Sequence, residues 1–291
     1  MQFDRVIQAK ILITNDTYNG FTGEIDVRNL RITFNVTKTF SLSTNTASVR
    51  IYNLGPTNRN RLTGFGDQLR LFAGYRDQTG PELLFIGYVN KLNHTFAYPE
   101  IISTLECGDG ERTLNNTTIS ISFGPKTPVR TVIEEIAARL DFTIAYLAPF
   151  EDPGYENGTY ETALAKNLLD AACKKVNLRA SVQNDNLIII PDNGSTPKPA
   201  VEINAQTGMI GVPERYVDKR QYLYRAIDPN NPPKPGWLIR VLLRPDILPG
   251  DRIRVRSVKV DIDNELIVYS IRHQGDNYGP DFESIIEAFP A

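Results

Sequence analysis

The two ends of this chain carry the same short motifs in the same order, and this duplication limits the possible folds more than any other feature. Each copy has a Gly-Asp pair, an apolar run into a histidine, a tyrosine and a proline, and a strand-like segment closing on glutamate: Gly66-Asp67, His94, Tyr98-Pro99 and Glu106, then Gly250-Asp251, His273, Tyr278 with Pro280, and Glu287. The second copy is five residues shorter between Gly-Asp and histidine, which a trimmed hairpin explains. Two similar β-rich copies around a different middle indicate a pseudo-symmetric building block.

Composition indicates a large folded protein with no dominant charge. The 291 residues are 41% hydrophobic, enough to bury the cores of two or three domains. With 32 basic and 34 acidic residues the net charge is −2, which excludes a basic footprint over the whole surface. Cys107 and Cys173 lie in apolar patterns and are predicted to be buried and unbonded. Neither a membrane-spanning run nor a signal peptide is visible, so we expect synthesis in a cytoplasm without membrane insertion.

The first block, residues 1–112, reads as a small β-barrel. Alternating apolar and polar residues with Gly, Asp and Pro between the runs predict strands at 30–36, 47–52, 68–75, 83–92 and 101–107. The segment Pro56 to Leu62 fits one turn of helix or a simple loop equally well.

The middle block, residues 113–196, changes to helical periodicity. A helix capped by Thr127, with Pro128 first, is predicted to reach Leu140, and a second helix to run from Tyr160 to Val176 and stop at Asn177. A hairpin follows over residues 178–190, turning at 184–186, and then a linker over 191–199.

Residues 197–291 are predicted to form a second β-barrel, with a surface loop over 228–236. The fold class is therefore mainly β (α+β): two similar small β-barrels flank an inserted helix–strand–helix–hairpin module.

Residues suited to catalysis or to metal binding are few, so no catalytic residue, cofactor or metal site is predicted. The two histidines form a metal or catalytic pair only if both barrels converge on one point, and duplication of a hairpin explains them otherwise. Two carboxylate pairs, Glu134 with Glu135 and Glu151 with Asp152, fit either a glycosidase or a solvated surface. The run Asp261 to Glu265 resembles a calcium loop, but Leu266 occupies the glycine position, which favours a hairpin turn.

Three arginines alternate with apolar residues near the end of the chain. Arg252, Arg254 and Arg256 therefore share one face of one strand. Such a face is solvated, lies in a subunit interface or meets phosphates. We select it as the candidate assembly interface.

Taken together, the motifs resemble those of bacteriophage tail baseplate hub proteins over nearly the whole chain. The matching segments are Ala47 to Leu54, Pro56, Arg59 to Leu62, Leu242 to Pro245, Pro249 to Asp251, Tyr269 to His273, Gly275-Asp276, Gly279-Pro280 and Ile285 to Glu287.

The resemblance implies a structural virion protein of the tail baseplate. In such hubs, three chains form a ring whose six barrels present a pseudo-sixfold face to the hexameric tail tube, and the other face receives a trimeric spike. DNA passes through the ring. The implied partners are further copies of the chain, a tail tube or distal tube protein, a central spike protein and the tape measure protein. A tail-tip cell-wall hydrolase and a glycan-binding β module are the alternatives.

Overall fold

The structure, a computed structural model, describes residues 4–13, 23–62, 64–77, 80–109, 114, 117–216 and 235–290. Within these ranges it is mainly β, as predicted, and the helices with described bounds are two of 11 residues and one of six. Within the described ranges, no helix combines the length and apolar character needed to cross a bilayer.

Seven strands and a short helix form what we call the N-terminal copy. They are β1 (Arg5–Ile13), β2 (Gly23–Val27), β3 (Ile32–Thr39), β4 (Asn45–Tyr52), α1 (Pro56–Arg61), β5 (Gln68–Tyr75), β6 (Gly80–Ala97) and β7 (Glu100–Asp109). The five strands predicted here are all present, and α1 shows that the segment after Pro56 is helical.

The N-terminal copy curls around an apolar core that also includes Leu243 and Phe282 from the far end of the chain. Its strands pair antiparallel in the order β3-β4-β7-β6-β5-β1-β2. Alternate residues of each strand are buried, and residues from the two ends of this series, Ile25 and Ile32, belong to one cluster. Because both end strands reach the same core, the series is rolled up and not flat.

The inserted module contains more strands than predicted. Its elements are β8 (Thr118–Phe123), α2 (Val129–Arg139), β9 (Thr143–Leu147), β10 (Thr159–Leu164), α3 (Ala165–Lys175), β11 (Leu178–Gln183) and β12 (Asn186–Pro191). The helix predicted from Tyr160 is wrong over its first five residues, because this Thr- and Tyr-containing stretch pairs antiparallel with β8. The helix begins at Ala165 and is followed by Asn177 in the left-handed conformation, at the predicted stop.

The start of α2 is fixed by a residue distant in sequence. The predicted cap, Thr127, instead bonds to the Gly124 carbonyl, and Pro128 occupies the cap position without a side-chain bond. The Asp152 carboxylate accepts hydrogen bonds from the amides of Val129 (2.8 Å) and Arg130 (3.0 Å). A carboxylate here also faces the positive end of the helix dipole.

Six strands form the C-terminal copy: β13 (Val201–Ile203), β14 (Met209–Tyr216), β15 (Gly236–Leu242), β16 (Arg252–Ser257), β17 (Ile262–Asp276) and β18 (Phe282–Pro290). They pair in the order β14-β15-β18-β17-β16-β13 around a separate core. This order matches β3-β4-β7-β6-β5-β1, except that β13 lies parallel to its neighbour whereas β1 lies antiparallel. Of the predicted loop over 228–236, residues 228–234 lie outside the described residues.

The two copies share one continuous sheet. Strand β3 pairs on one side with β4 and on the other, antiparallel, with the second half of β17. Seven residue pairs run from Thr39 opposite Ser270 to Thr33 opposite Asp276. The result is a 13-stranded sheet instead of two separate ones.

We predict that Asp152→Ala lowers the free energy of unfolding by about 1 kcal/mol, because the first amides of α2 lose their acceptor. Urea denaturation at pH 7 measures this, with Glu151→Ala as the matched control because Glu151 is an exposed neighbour. Equal effects of the two substitutions would contradict the capping role.

Candidate assembly surfaces

The Gly-Asp turns are the same structure in both copies. Gly66 and Gly250 have φ of 96° and 90°, in the region open to glycine. The Gly66 amide bonds to the Val89 carbonyl (3.0 Å), and the Val89 amide returns a bond to the Asp67 carbonyl (2.8 Å). In the C-terminal copy Gly250, Val268 and Asp251 make the same pair of bonds at 2.8 and 3.0 Å.

The two histidines also occupy equivalent positions. His94 Nδ1 lies 3.0 Å from Ser103 Oγ, directly across β6 and β7, and His273 Nδ1 lies 2.8 Å from Ser284 Oγ across β17 and β18. His94 lies five residues after Val89 and His273 five residues after Val268, and a bulge directly follows each valine. The five-residue difference between the copies therefore lies in the preceding hairpins, as the trimmed-hairpin hypothesis requires.

The serine hydroxyls of both pairs are closed to solvent. Ser103, Ser284 and His273 are fully buried, so no substrate reaches either hydroxyl. Burial, with a contribution from the nearby Lys38 charge, lowers the pKa of His273 well below its usual value and keeps the ring neutral. Each histidine is bonded within its own hairpin, which fits duplication and not a shared metal or catalytic site.

One member of each carboxylate pair has a structural partner. Glu135 pairs with Arg139 one turn along α2, and Asp152 caps the same helix. Asp261, with φ of 48°, ends a one-turn 3₁₀ helix that connects β16 to β17. The segment that resembles a calcium loop therefore begins in a turn between two strands. Across the part of the chain that the structure describes, no group of three or more His, Cys, Asp or Glu residues is arranged to hold a metal.

The arginine face is neutralised within its own copy. Arg254 and Arg256 both bond to the Asp263 carboxylate, at 2.8 and 3.3 Å between Nε and Oδ1. The hydrogen bond from Arg254, together with the one from Arg256, lowers the pKa of Asp263 against the opposing effect of burial. Arg256 also pairs with Glu202 (2.9 Å), and Arg252 with Glu265 (3.7 Å). The face is thus a mixed-charge surface and not a basic patch.

The tip of the β17–β18 hairpin is fastened to the N-terminal copy. Arg31 pairs with Asp276 at 2.8 Å, and the Asn277 side chain accepts from the Ile32 amide and donates to the Leu30 carbonyl, both at 2.9 Å. These polar contacts extend the β3–β17 ladder past its end. The N-terminal and C-terminal copies are therefore joined by backbone pairing and by side chains.

The hairpin of the inserted module enters the N-terminal copy through its turn. Asn184 and Asp185 have φ of 53° and 62°, the geometry of a two-residue type I′ turn, and both amides bond to the buried Asp109 carboxylate (2.8 and 3.2 Å). Lys38, 1% exposed, donates to the Asn184 side-chain oxygen at 3.1 Å. We call Lys38, Asn45, Asp109, Asn184 and Asp185 the anchor cluster, in which Asn45 donates to the Val182 carbonyl.

Burial shifts the charged groups of the anchor cluster. It lowers the pKa of Lys38 to about 8, against the opposing attraction of Asp109. It raises the pKa of Asp185 to about 6, with the Asp109 charge adding to the shift. The cluster holds the inserted module at the end of β3, beside the segment that pairs with β17.

The predicted linker is also held in place. The Thr196 amide bonds to the Gly250 carbonyl (2.9 Å), its hydroxyl to Asp251 (2.6 Å), and Lys198 pairs with the same carboxylate (3.1 Å). The duplicated Gly-Asp turn thus binds the segment that leads into the C-terminal copy.

The family model described as baseplate hub gp41 matches residues 13–216, well over half of the chain. The chain belongs to this baseplate hub family. It is therefore a structural protein of the viral tail baseplate, and the predicted family is confirmed. No sequence in the curated collection of proteins matches it.

Solved structures show the same fold across this baseplate hub. The 43 kDa tail protein of prophage MuSo2 from Shewanella oneidensis aligns with a TM-score of 0.68 and 10% identity, covering 98% of each chain. A tail protein from Neisseria meningitidis MC58 aligns at 0.65 and 11%, covering 99% of this chain and 97% of its own. A component of the Escherichia coli type VI secretion system aligns at 0.59 and 11%, covering 90% and 73%.

We predict that Lys38→Met removes a pH-dependent part of the hub's stability. Between pH 8 and 10 an unfolded lysine keeps its proton while folded Lys38 loses it, so the unfolded state binds more protons. The titration of Lys38 therefore makes the free energy of unfolding of the wild type rise with pH in this window, by no more than about 1.4 kcal/mol per pH unit.

Urea denaturation from pH 7.5 to 10.5 measures this contribution as the difference in slope between wild type and Lys38→Met. Lys91→Met is the control because Lys91 is exposed. Identical slopes for wild type and Lys38→Met would show that Lys38 titrates normally in the folded protein.

Proposed function

We propose that three copies of this hub form a ring that adapts the hexameric tail tube to a trimeric central spike. The observation that carries the proposal is the repetition of the Gly-Asp turn, the valine bulge and the Ser–His pair in two copies of one chain, with a shared strand order. A ring of three such chains offers six nearly equivalent strand series on one face. On its other face the ring has threefold symmetry, because the whole chain is the repeating unit.

The internal joint supports this arrangement. The N-terminal and C-terminal copies are related through the β3–β17 pairing, which is a contact between different surfaces of similar units. Contacts of this head-to-tail kind generate rings when repeated with a closing rotation. In the proposal the tail tube or distal tube protein and the tape measure protein meet the sixfold face, and the spike meets the threefold face.

In the proposed ring DNA passes through a lumen that is neutral or net acidic. A continuous basic lining would hold DNA, because phosphate contacts add with each cation. The local ion pairs of Arg252, Arg254 and Arg256, together with a net charge of −2, are compatible with such a lumen.

The proposal assigns the chain no catalytic role. The buried hydroxyls of Ser103 and Ser284 and the structural partners of Glu135 and Asp152 support this assignment. Zymography of the purified chain on peptidoglycan tests the hydrolase alternative, and a glycan array tests the binding-module alternative. A cleared band that is lost on substitution of a named residue would overturn the assignment.

We predict three copies of the chain per assembled tail. Quantitative mass spectrometry of purified tails, scaled to the tail tube protein, measures this number, and a threefold ring in images of the tail tip checks the geometry. One, two or six copies would contradict the ring.

We predict that changing Arg252, Arg254 and Arg256 together to Ser weakens assembly of the ring with tube or spike and leaves the isolated chain folded. Exposed ion pairs contribute at most about 1 kcal/mol each, so the fold should survive. The matched control is Ser at Arg28, Arg76 and Arg139, which have similar exposed ion pairs elsewhere. Normal assembly combined with an altered rate of DNA ejection would place the arginines in the lumen instead.

A further inference from the structure

Strands β6 and β17 are equivalent, but among the described strands one side of β17 is paired along both halves and the same side of β6 only along its first half. In the C-terminal copy, the first half of β17 pairs with β16 and the second half, Ser270–Asp276, pairs on the same side with β3. In the N-terminal copy, the first half of β6 pairs with β5, and no described strand pairs with that side beyond Tyr88. Among the described strands, the outer half of β6, residues 91–97, thus has no neighbour equivalent to β3.

Exposure of the side chains agrees with this difference. His273 is fully buried, whereas His94, in the equivalent position, is partly exposed. Beyond it Phe96 is 73% exposed and Tyr98 fully exposed, at the tip of the β6–β7 hairpin. Two large aromatic residues on a hairpin tip are typical of a surface that is covered in an assembly.

Strand β14 also has one side that no other described strand occupies. It pairs with β15 as β3 pairs with β4, and no described strand pairs with its other side. The shared registers place Glu214 at the position of Asn35 and Arg215 at that of Val36, because their partners in β15 and β4 are equivalent. Strand β14, the counterpart of the strand that fills the flank of β17, therefore has no described neighbour on that side.

We propose that the open flank of β6 receives β14 of a second copy of this chain, antiparallel, with Glu214 opposite Thr95 and Arg215 opposite His94. The within-chain pairs Asn35–Gln274 and Val36–His273 are the template. This inference rests on the proposed ring and specifies its subunit contact: β3–β17 inside each chain would alternate with β14–β6 between chains.

The intermolecular ladder is expected to be shorter than the internal one. Gly211, Val212 and Pro213 form a bulge in β14 opposite a single residue of β15, and Pro213 has no amide to donate. Pairing should therefore concentrate at Glu214 and beyond, with the exposed aromatic tip packing against the adjoining surface.

Engineered disulfides test the register. The Phe40 amide bonds to the Tyr269 carbonyl, and backbone groups alternate along β3, so Asn35 and Gln274 form a non-hydrogen-bonded pair. Such pairs bring Cα atoms to about 4.5 Å, within the range for a disulfide. Thr95→Cys with Glu214→Cys should thus join neighbouring chains, and Asn35→Cys with Gln274→Cys should close within one chain.

Assembled tails carrying each pair are oxidised and analysed by non-reducing electrophoresis. We expect covalent multimers of the hub from the first pair, a monomer with an internal disulfide from the second, and no multimers from Thr95→Cys with Lys259→Cys, which lies on an exposed turn. The inference would be overturned if the second pair formed its internal disulfide and the first pair gave no multimers.

The same experiment separates this inference from the proposed function. Multimers that extend to a number other than three would support strand pairing but contradict the three-copy ring. Three copies per tail without multimers would support the ring and contradict the pairing.

A photoreactive benzoylphenylalanine in place of Phe96 provides a second measurement if the cysteine variants do not assemble. It preserves an aromatic side chain at the tip of the β6–β7 hairpin. Mass spectrometry should locate its attachment within Met209–Tyr216 of another hub chain. Attachment to a different protein alone would contradict β14 as the occupant.

Discussion

The pairing between β3 and β17 is the contact on which the rest of the structure depends. Backbone pairing fixes register as well as proximity, because a slip of one residue would reverse which side chains face the core. Gly275 permits the close approach: a Cβ there would lie 2.6 Å from the ring of Phe34. With this contact in place, the N-terminal and C-terminal copies act as one sheet and cannot turn independently.

The inserted module reinforces the same joint. Phe40, at the end of β3, packs against Ile188 and Ile190 of β12, and its ring lies against Gly250 in the C-terminal copy. The anchor cluster holds the neighbouring turn by hydrogen bonds around Asp109. Removing one partner from such a buried polar group costs more than the bond itself contributes, because the other partner loses both water and its bond. The cluster therefore specifies one position and orientation of the inserted module against the N-terminal copy.

Local patterns in the sequence were sufficient to predict most of the repeated architecture. The duplicated Gly-Asp and histidine positions, the five main strands of the N-terminal copy and the stop at Asn177 follow from motif order, from period-two alternation and from the left-handed tendency of asparagine. These features depend on residues close together in the chain.

Features formed between distant residues were not predictable in the same way. The cap of α2 comes from Asp152 and the partner of β10 is β8, and neither is visible within a local window. The joint between β3 and β17 brings together residues more than 200 positions apart, and only the arginine face gave a local signal for a surface of interest. Its neutralisation by Asp263 and Glu265 could have been suspected from the alternation of those acids after the turn.

The shorter hairpin of the C-terminal copy also has a mechanical meaning. Five residues shared between two strands correspond to roughly 8 Å of reach at the usual rise per residue. Around the proposed ring, long and short hairpin tips would alternate. A sixfold partner that contacts those tips would then have three equivalent orientations and not six. The difference in length would therefore limit the rotation angle between the tube and the spike.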